Sequence, residues 1–391
     1  MHEHGFVGGI RLADLVENLA EPVLVHDADG PAECLFRPGE LVVAQERADA
    51  ARDRLRRQLD RTRSAAGYTT LVLRTAERHN SVRIAEDLGG ELGIAPNHVH
   101  LASPVMMGAP IVFGTGARPV TIEGSVPAAP PEASYSPPVT AALFDTGLDP
   151  HPWFADRPWL SDWGLAVETL DGDGVAGQDR QAGHGTFVAG VLLQGAPGVR
   201  IRQQRALRST GLTDDIRLAG ALQRLRTTAG NRGERLDLIV LTCGCHTADD
   251  RVPEVLAHQL ARFDDAMIIA AAGNGATERK FWPAALPDVI AVGATDAHSR
   301  RAEFSNHGPW VDVMAPGVDV LSSFVELSIV DDGLGEGSGS GSQTRRYGLA
   351  SWSGTSFAAP AVAAAAARLL NDRVDVGAVR DRLRAQYPVR E

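Results

Sequence analysis

Residues 351–370 read SWSGTSFAAPAVAAAAARLL. A Ser/Gly turn feeds straight into an alanine-rich helix. Small side chains let neighbouring backbones approach closely, so this helix is expected at the centre of a fold. Gly354 and Ser356 stand at its mouth. One reading makes Gly354 a simple turn and Ser356 a helix cap. The other holds Ser356 at a helix N-terminus because it reacts there, where the helix dipole favours developing negative charge. The rest of the chain decides.

Upstream, near-continuous apolar strands alternate with helices. VTAALFDTG (139–147), LDLIVLTCG (236–244), AMIIAAAGN (266–274) and VIAVGAT (289–295) read as strands. GHGTFVAGVLL (183–193), DIRLAGALQRLRTTA (215–229) and RVPEVLAHQLARF (251–263) read as helices. That rhythm predicts an α/β fold with a mainly parallel sheet covered on both faces. Sites in such sheets form outside the carboxyl ends of the strands. Asp145 ends a strand, and His184 and Ser356 each open a helix. Singly, each is an ordinary turn or cap residue.

Together they carry a resemblance. LFDTGLD (143–149), GHGTFVAG (183–190) and SGTSFAAP (353–360), in that order, resemble the three signature blocks of the subtilisin-like serine proteases. IIAAAGNGA (268–276), with Asn274, and FSNHGPWVDVMAPG (304–317) resemble two more. The order Asp, His, Ser differs from that of the α/β-hydrolases, whose Gly-x-Ser-x-Gly elbow comes first. The resemblance implies a subtilisin-like three-layer fold and a serine endopeptidase. It implies Ser356 as nucleophile, His184 as general base, Asp145 as its orienting partner and Asn274 as an oxyanion donor. It also implies that Thr242, Cys243 and Gly244 line the substrate cleft as an edge strand, facing Ala271, Ala272 and Gly273. Phe281 falls where many members have a small residue at the pocket floor, which predicts a shallow pocket for small or medium side chains. Phe187 replaces a histidine frequent in the family, outside the triad.

The chain has 391 residues, 44% of them hydrophobic and 22% charged, and a formal net charge of -11. Such a balance argues against a nucleic-acid partner and gives no reason to expect an anionic membrane. The arginines of 52–63 are interleaved with Asp53 and Asp60 and read as a solvated helix face. Residues 114–138 are rich in Pro, Gly and Ala and read as a linker. The predicted domains are therefore 1–113, 114–138 and 139–391. The first is a small α+β module, with strands at ELVVAQ (40–45), YTTLVLRT (68–75) and NHVHLAS (97–103) and helices over 48–63 and 81–93. Relatives often carry a propeptide there, so the resemblance implies a zymogen whose N-terminal domain is its own inhibitor, cut between 114 and 136.

Three cysteines, Cys34, Cys243 and Cys245, are no disulfide framework and read as core thiols. No cofactor is expected for the chemistry. Asp171, Asp173 and Asp179 in DGDGVAGQD have acidic spacing that can feed a structural calcium loop. The opening residues lack a basic region followed by an apolar run, so a cytoplasmic location is expected, the alternative being secretion with an export signal absent from this chain. The Gly/Ser-rich stretch 330–348 reads as a long loop.

Overall fold

The computed structural model describes residues 21–102, 120–122, 128–164, 166–330 and 342–389. The chain begins with β1 (Leu24–His26), β2 (Cys34–Ala44), α1 (Ala48–Leu55), β3 (Leu59–Ala65), β4 (Tyr68–Leu73), α2 (Ser81–Leu92) and β5 (Ala95–Ala102). Strands β3, β4, β2 and β5 lie side by side and antiparallel. Leu41, Val43, Leu71 and Leu73 face α1 and α2 and form a core with Leu55, Ile84 and Leu88. The helix expected over 48–63 stops at Leu55, and 59–65 is an edge strand paired with β4. Its polar residues offer no helical apolar stripe beyond Leu55, and the neighbouring strand supplies backbone partners instead.

Within the linker region, β6 (Val120–Ile122) is a short strand. Next come β7 (Thr140–Asp145), α3 (Pro152–Ala155), α4 (His184–Gly195), β8 (Arg200–Arg205), β9 (Leu212–Asp214), α5 (Asp215–Arg232), β10 (Leu238–Leu241) and β11 (Cys243–Gly244). The remainder is α6 (Glu254–Leu260), β12 (Met267–Ala271), β13 (Val289–Thr295), β14 (Val313–Pro316), β15 (Val320–Val330), β16 (Ser342–Trp352), α7 (Thr355–Asn371) and α8 (Val376–Gln386). Six strands make a sheet in the order β14-β13-β12-β10-β7-β8. Every pairing in it is parallel.

Alternation along these strands sorts the core into two layers. Leu143, Val240, Ile269 and Val292 pack with α4, α7 and α8 on one face. Phe144, Ile239, Leu241, Ile268 and Ala291 pack with α5 and α6 on the other. This is the three-layer α/β arrangement expected. The alanines of α7 are its central contact: Ala358, Ala359 and Ala363–Ala367 are all buried. A side chain at Gly195 of α4 would stand 2.6 Å from Ala364 Cβ, so the two helices meet nearly backbone to backbone. The stretch expected as a loop over 330–348 is partly strand: β16 pairs along its length with β15, and β6 adds to its other edge. Residues 331–341, which connect β15 to β16 in the sequence, lie outside the described residues, as do 1–20 and 103–119. Among the described residues no helix is long and apolar enough to cross a membrane.

The N-terminal module sits on α5 and α6. Val42, Ala44, Ala66 and Tyr68 belong to the same apolar cluster as Leu218, Leu222, Leu225 and Leu256. Polar ties fix its edges: Arg47 to Glu254 at 2.6 Å, and Gln259 Nε2 donating to Ala66 O at 2.9 Å.

Candidate active site

Asp145 is the last residue of β7, at the carboxyl edge of the sheet. Its carboxylate is fully buried and well supplied with donors. Oδ1 accepts from the Thr146 amide at 2.7 Å and from His184 Nδ1 at 2.7 Å. Oδ2 accepts from Thr242 Oγ1 at 2.5 Å. The Asp145 bond therefore places the proton of a neutral His184 on Nδ1 and leaves Nε2 as the basic nitrogen. That Nε2 is buried and has no hydrogen-bond partner. The imidazole packs against Trp352 and Phe357, with ring centres 5.5 and 5.3 Å away.

His184 opens α4 behind Gly183, whose φ of 88° is a left-handed conformation that disfavours other residues. Gly183 gives no side-chain cap, and Glu168 supplies one from a distance. Its carboxylate accepts from the Gly183 amide at 3.0 Å and the Thr186 amide at 2.8 Å. Burial pushes the Glu168 carboxyl up to about 7, against the pull of those donors. No motif points to Glu168; it lies in an irregular segment before the histidine block.

Ser356 is the second residue of α7, so its N–H has no helical acceptor behind it. Pro360, four residues on, has no N–H to bond the Ser356 carbonyl. The Ser356 hydroxyl donates to the Thr242 carbonyl at 3.0 Å. Asn274 follows Gly273, another left-handed glycine, at φ 96°. Asn274 Oδ1 accepts from the Thr355 amide at 3.1 Å and Thr355 Oγ1 at 2.9 Å. Thr355 Oγ1 also accepts from the Gly273 amide at 3.1 Å. Thr355 thus clamps the asparagine segment to the serine helix, turning the amide nitrogen of Asn274 away from Thr355. Sequence reasoning had named Asn274 and Ser356 but not this clamp.

The pocket residues also converge. Ala271 ends β12 and Ala272 and Gly273 follow it, while Thr242, Cys243 and Gly244 follow β10. The Phe281 ring lies between these walls. A Cβ at Gly273 would stand 3.0 Å from it, and a Cβ at Gly244 would collide with it. Thr242, expected only as a wall, points its hydroxyl at Asp145 instead.

Strand β5 enters this cleft from the N-terminal module. Val99, His100 and Leu101 pair antiparallel with Asp214, Thr213 and Leu212 on one side. Leu101 and Ala102 pair antiparallel with Gly244 and Cys243 on the other. The Ala102 amide donates to Gly211 O at 2.8 Å. Asp145, His184 and Ser356 are each fully buried. Away from the cleft, Asp171, Asp173 and Asp179 bring carboxylate oxygens within 4.8 Å of one another, and Asp179 Oδ1 is buried without a hydrogen-bond partner.

Known proteins are similar to this chain. A thermophilic serine proteinase of Bacillus sp. (strain AK1) is 36% identical over 48% of this chain and 42% of its own length. Subtilisin Savinase of Lederbergia lenta is 30% identical over 59% of this chain and 75% of its own. The chain thus spans less than half of the first relative's length. A solved cold-adapted subtilisin-like serine proteinase aligns at 23% identity over 60% of this chain and 76% of that one, with a TM-score of 0.44. A family model for the subtilases matches residues 138–384, from just before β7 into the last turn of α8. That match takes in all five motifs and more than half of the sequence: the chain belongs to the subtilase family.

Proposed function

We propose that the chain is a serine endopeptidase that cleaves peptide bonds through an acyl-enzyme on Ser356, and that its N-terminal module holds it as a zymogen. The observation that carries this is His184: Nδ1 bonded to Asp145 at 2.7 Å, Nε2 buried and unpartnered beside the serine helix. The Ser356 hydroxyl turns from the Thr242 carbonyl toward His184 Nε2 and gives up its proton as Oγ attacks the substrate carbonyl carbon. Charge on the carbonyl oxygen is met by the Asn274 amide and the Ser356 N–H. His184 then protonates the departing amine, and water attacks the acyl ester by the same route in reverse. Asp145 stays ionised and stabilises the imidazolium.

Strand pairing gives the substrate class: an extended peptide laid between β9 and β11. Phe281, seated against Gly244 and Gly273, shortens the pocket for the residue before the cut, so small side chains are preferred. Efficient cleavage after Phe or Tyr, comparable to that after Ala, overturns this. The inhibitor reading rests on β5, which occupies both edges where substrate would pair. Within the stretch expected to be cut, 114–119 and 123–127 lie outside the described residues. A calcium ion held by Asp171, Asp173 and Asp179 completes the reading, as a structural ion with no part in the reaction.

The experiment is intact mass over time, for the chain beside Ser356→Ala. The chain sheds its N-terminal module and Ser356→Ala does not. Shedding by both, or by neither with activity present, refutes the self-maturing zymogen.

A further inference from the structure

All three cysteines are buried and unpaired, yet only one joins a group of metal-ligating side chains among the described residues. The sequence reads Cys245 as a core thiol, next to His246. His246 turns away: its Nδ1 meets the Lys280 carbonyl at 2.9 Å and its ring lies on Phe281. The Cys245 sulfur instead meets His100 and Asp215, and the three offer ligand atoms all within 4.8 Å of one another.

Each of the three comes from a different element. His100 is on β5 of the N-terminal module; Asp215 is the first residue of α5; Cys245 follows β11 in the cleft wall. They are exposed by 0%, 1% and 3%. Asp215 also accepts from His98, at 2.9 Å from Nδ1, while its other oxygen meets His100 Nε2 at 2.8 Å. On His100 the nitrogen that faces the site is Nε2, the one Asp215 Oδ1 already meets. The His100 Nδ1 is buried with no hydrogen-bond partner.

We propose that Cys245, His100 and Asp215 form a binding site for a thiophilic divalent cation, zinc above all, buried where the N-terminal module meets the peptidase. Zinc takes sulfur at about 2.3 Å and nitrogen or oxygen at about 2.0–2.2 Å. To share such an ion the sulfur, within 4.8 Å of the other two, draws in by up to about an ångström, while His100 Nε2 and Asp215 Oδ1, 2.8 Å apart, spread slightly. Binding exchanges the Cys245 thiol proton for the metal. Thiolate, carboxylate and neutral imidazole then balance the dication, leaving no net buried charge. The site cannot form on either part alone. On the reading that β5 blocks the cleft, zinc pins the blocking strand to α5 and to the cleft wall.

Cobalt(II) tests the site without any activity measurement, because thiolate–cobalt coordination gives a charge-transfer absorption band. The protein is the full chain carrying Ser356→Ala, so that it stays whole, stripped with chelator and titrated with cobalt chloride. The expected result is a band that saturates near one equivalent and is displaced by zinc. Cys245→Ser abolishes it, His100→Ala weakens cobalt binding at least tenfold, and Cys243→Ser leaves it. Histidines near the N-terminus give no thiolate band, so they do not mimic it. No band on the unsubstituted cysteines, or a band that survives Cys245→Ser, overturns the site. The first of these outcomes needs no folded variant of the ligands.

Discussion

Thr242 serves the site twice, once through its side chain and once through its backbone. Its hydroxyl holds Asp145 Oδ2 at 2.5 Å, and its carbonyl accepts the Ser356 hydroxyl. Thr242→Val strips a donor from a buried carboxylate. We expect a loss of about 1–3 kcal/mol in unfolding free energy, read by denaturant titration. A fall in kcat larger than that in KM accompanies it. Thr355→Val releases Asn274 from its clamp and is expected to lower kcat at least tenfold with KM little changed. Asn274→Ala is expected to cost about 10²–10³ in kcat, the loss that removing this type of donor causes in subtilisin itself. Glu168 makes a pH prediction. Its folded pKa, about 7, lies above the ordinary carboxylate value, so the folded state holds its proton longer than the unfolded one. Its contribution to stability is therefore full below the unfolded value and is lost as pH rises toward 7. Melting temperatures of the chain and Glu168→Gln, compared at pH 5 and pH 8, should show the natural chain losing ground at the higher pH. An unchanged difference contradicts the buried carboxyl reading. Ser356, His184 and Asp145 were legible as candidates because they sit in motifs; Thr355 shares the serine block, but its hold on Asn274, like the reach of Glu168 to the histidine helix, is set by three-dimensional proximity.

Among the elements, β7, β10, β12 and β13 were plain in the sequence because strands buried on both faces are apolar throughout. The polar strand β8, RIRQQR, was not, since at the sheet edge it buries only Ile201 and Arg202 fully. β3 was mistaken for a helix for the same reason: an exposed edge strand has little pattern of its own, and its partner decides its conformation. The Asp171–Asp179 loop makes the calcium prediction at this level. Millimolar calcium should raise the melting temperature of the chain by several degrees, and Asp179→Asn should remove most of that gain. A melting temperature unmoved by calcium or chelator removes the ion.

For the molecule as a whole, an expectation of a small α+β module and a larger α/β one could be read from composition and rhythm. Their contact could not, because β5 carries no mark that says which strands it will join. Pairing with both β9 and β11 threads one sheet through both modules. Ala102→Pro removes the amide that donates to Gly211. We expect the full chain with this change to hydrolyse a small peptide ester several-fold faster, because the blocking strand is looser; an unchanged rate speaks against the block. The most direct test of the chemistry is covalent. The chain, freed of its N-terminal module or carrying Ala102→Pro, is treated with a fluorophosphonate, digested and mapped by mass. The expected result is a single adduct on Ser356, absent from His184→Ala. An adduct on another residue, or none on a folded chain with an open cleft, contradicts Ser356 as a nucleophile activated by His184.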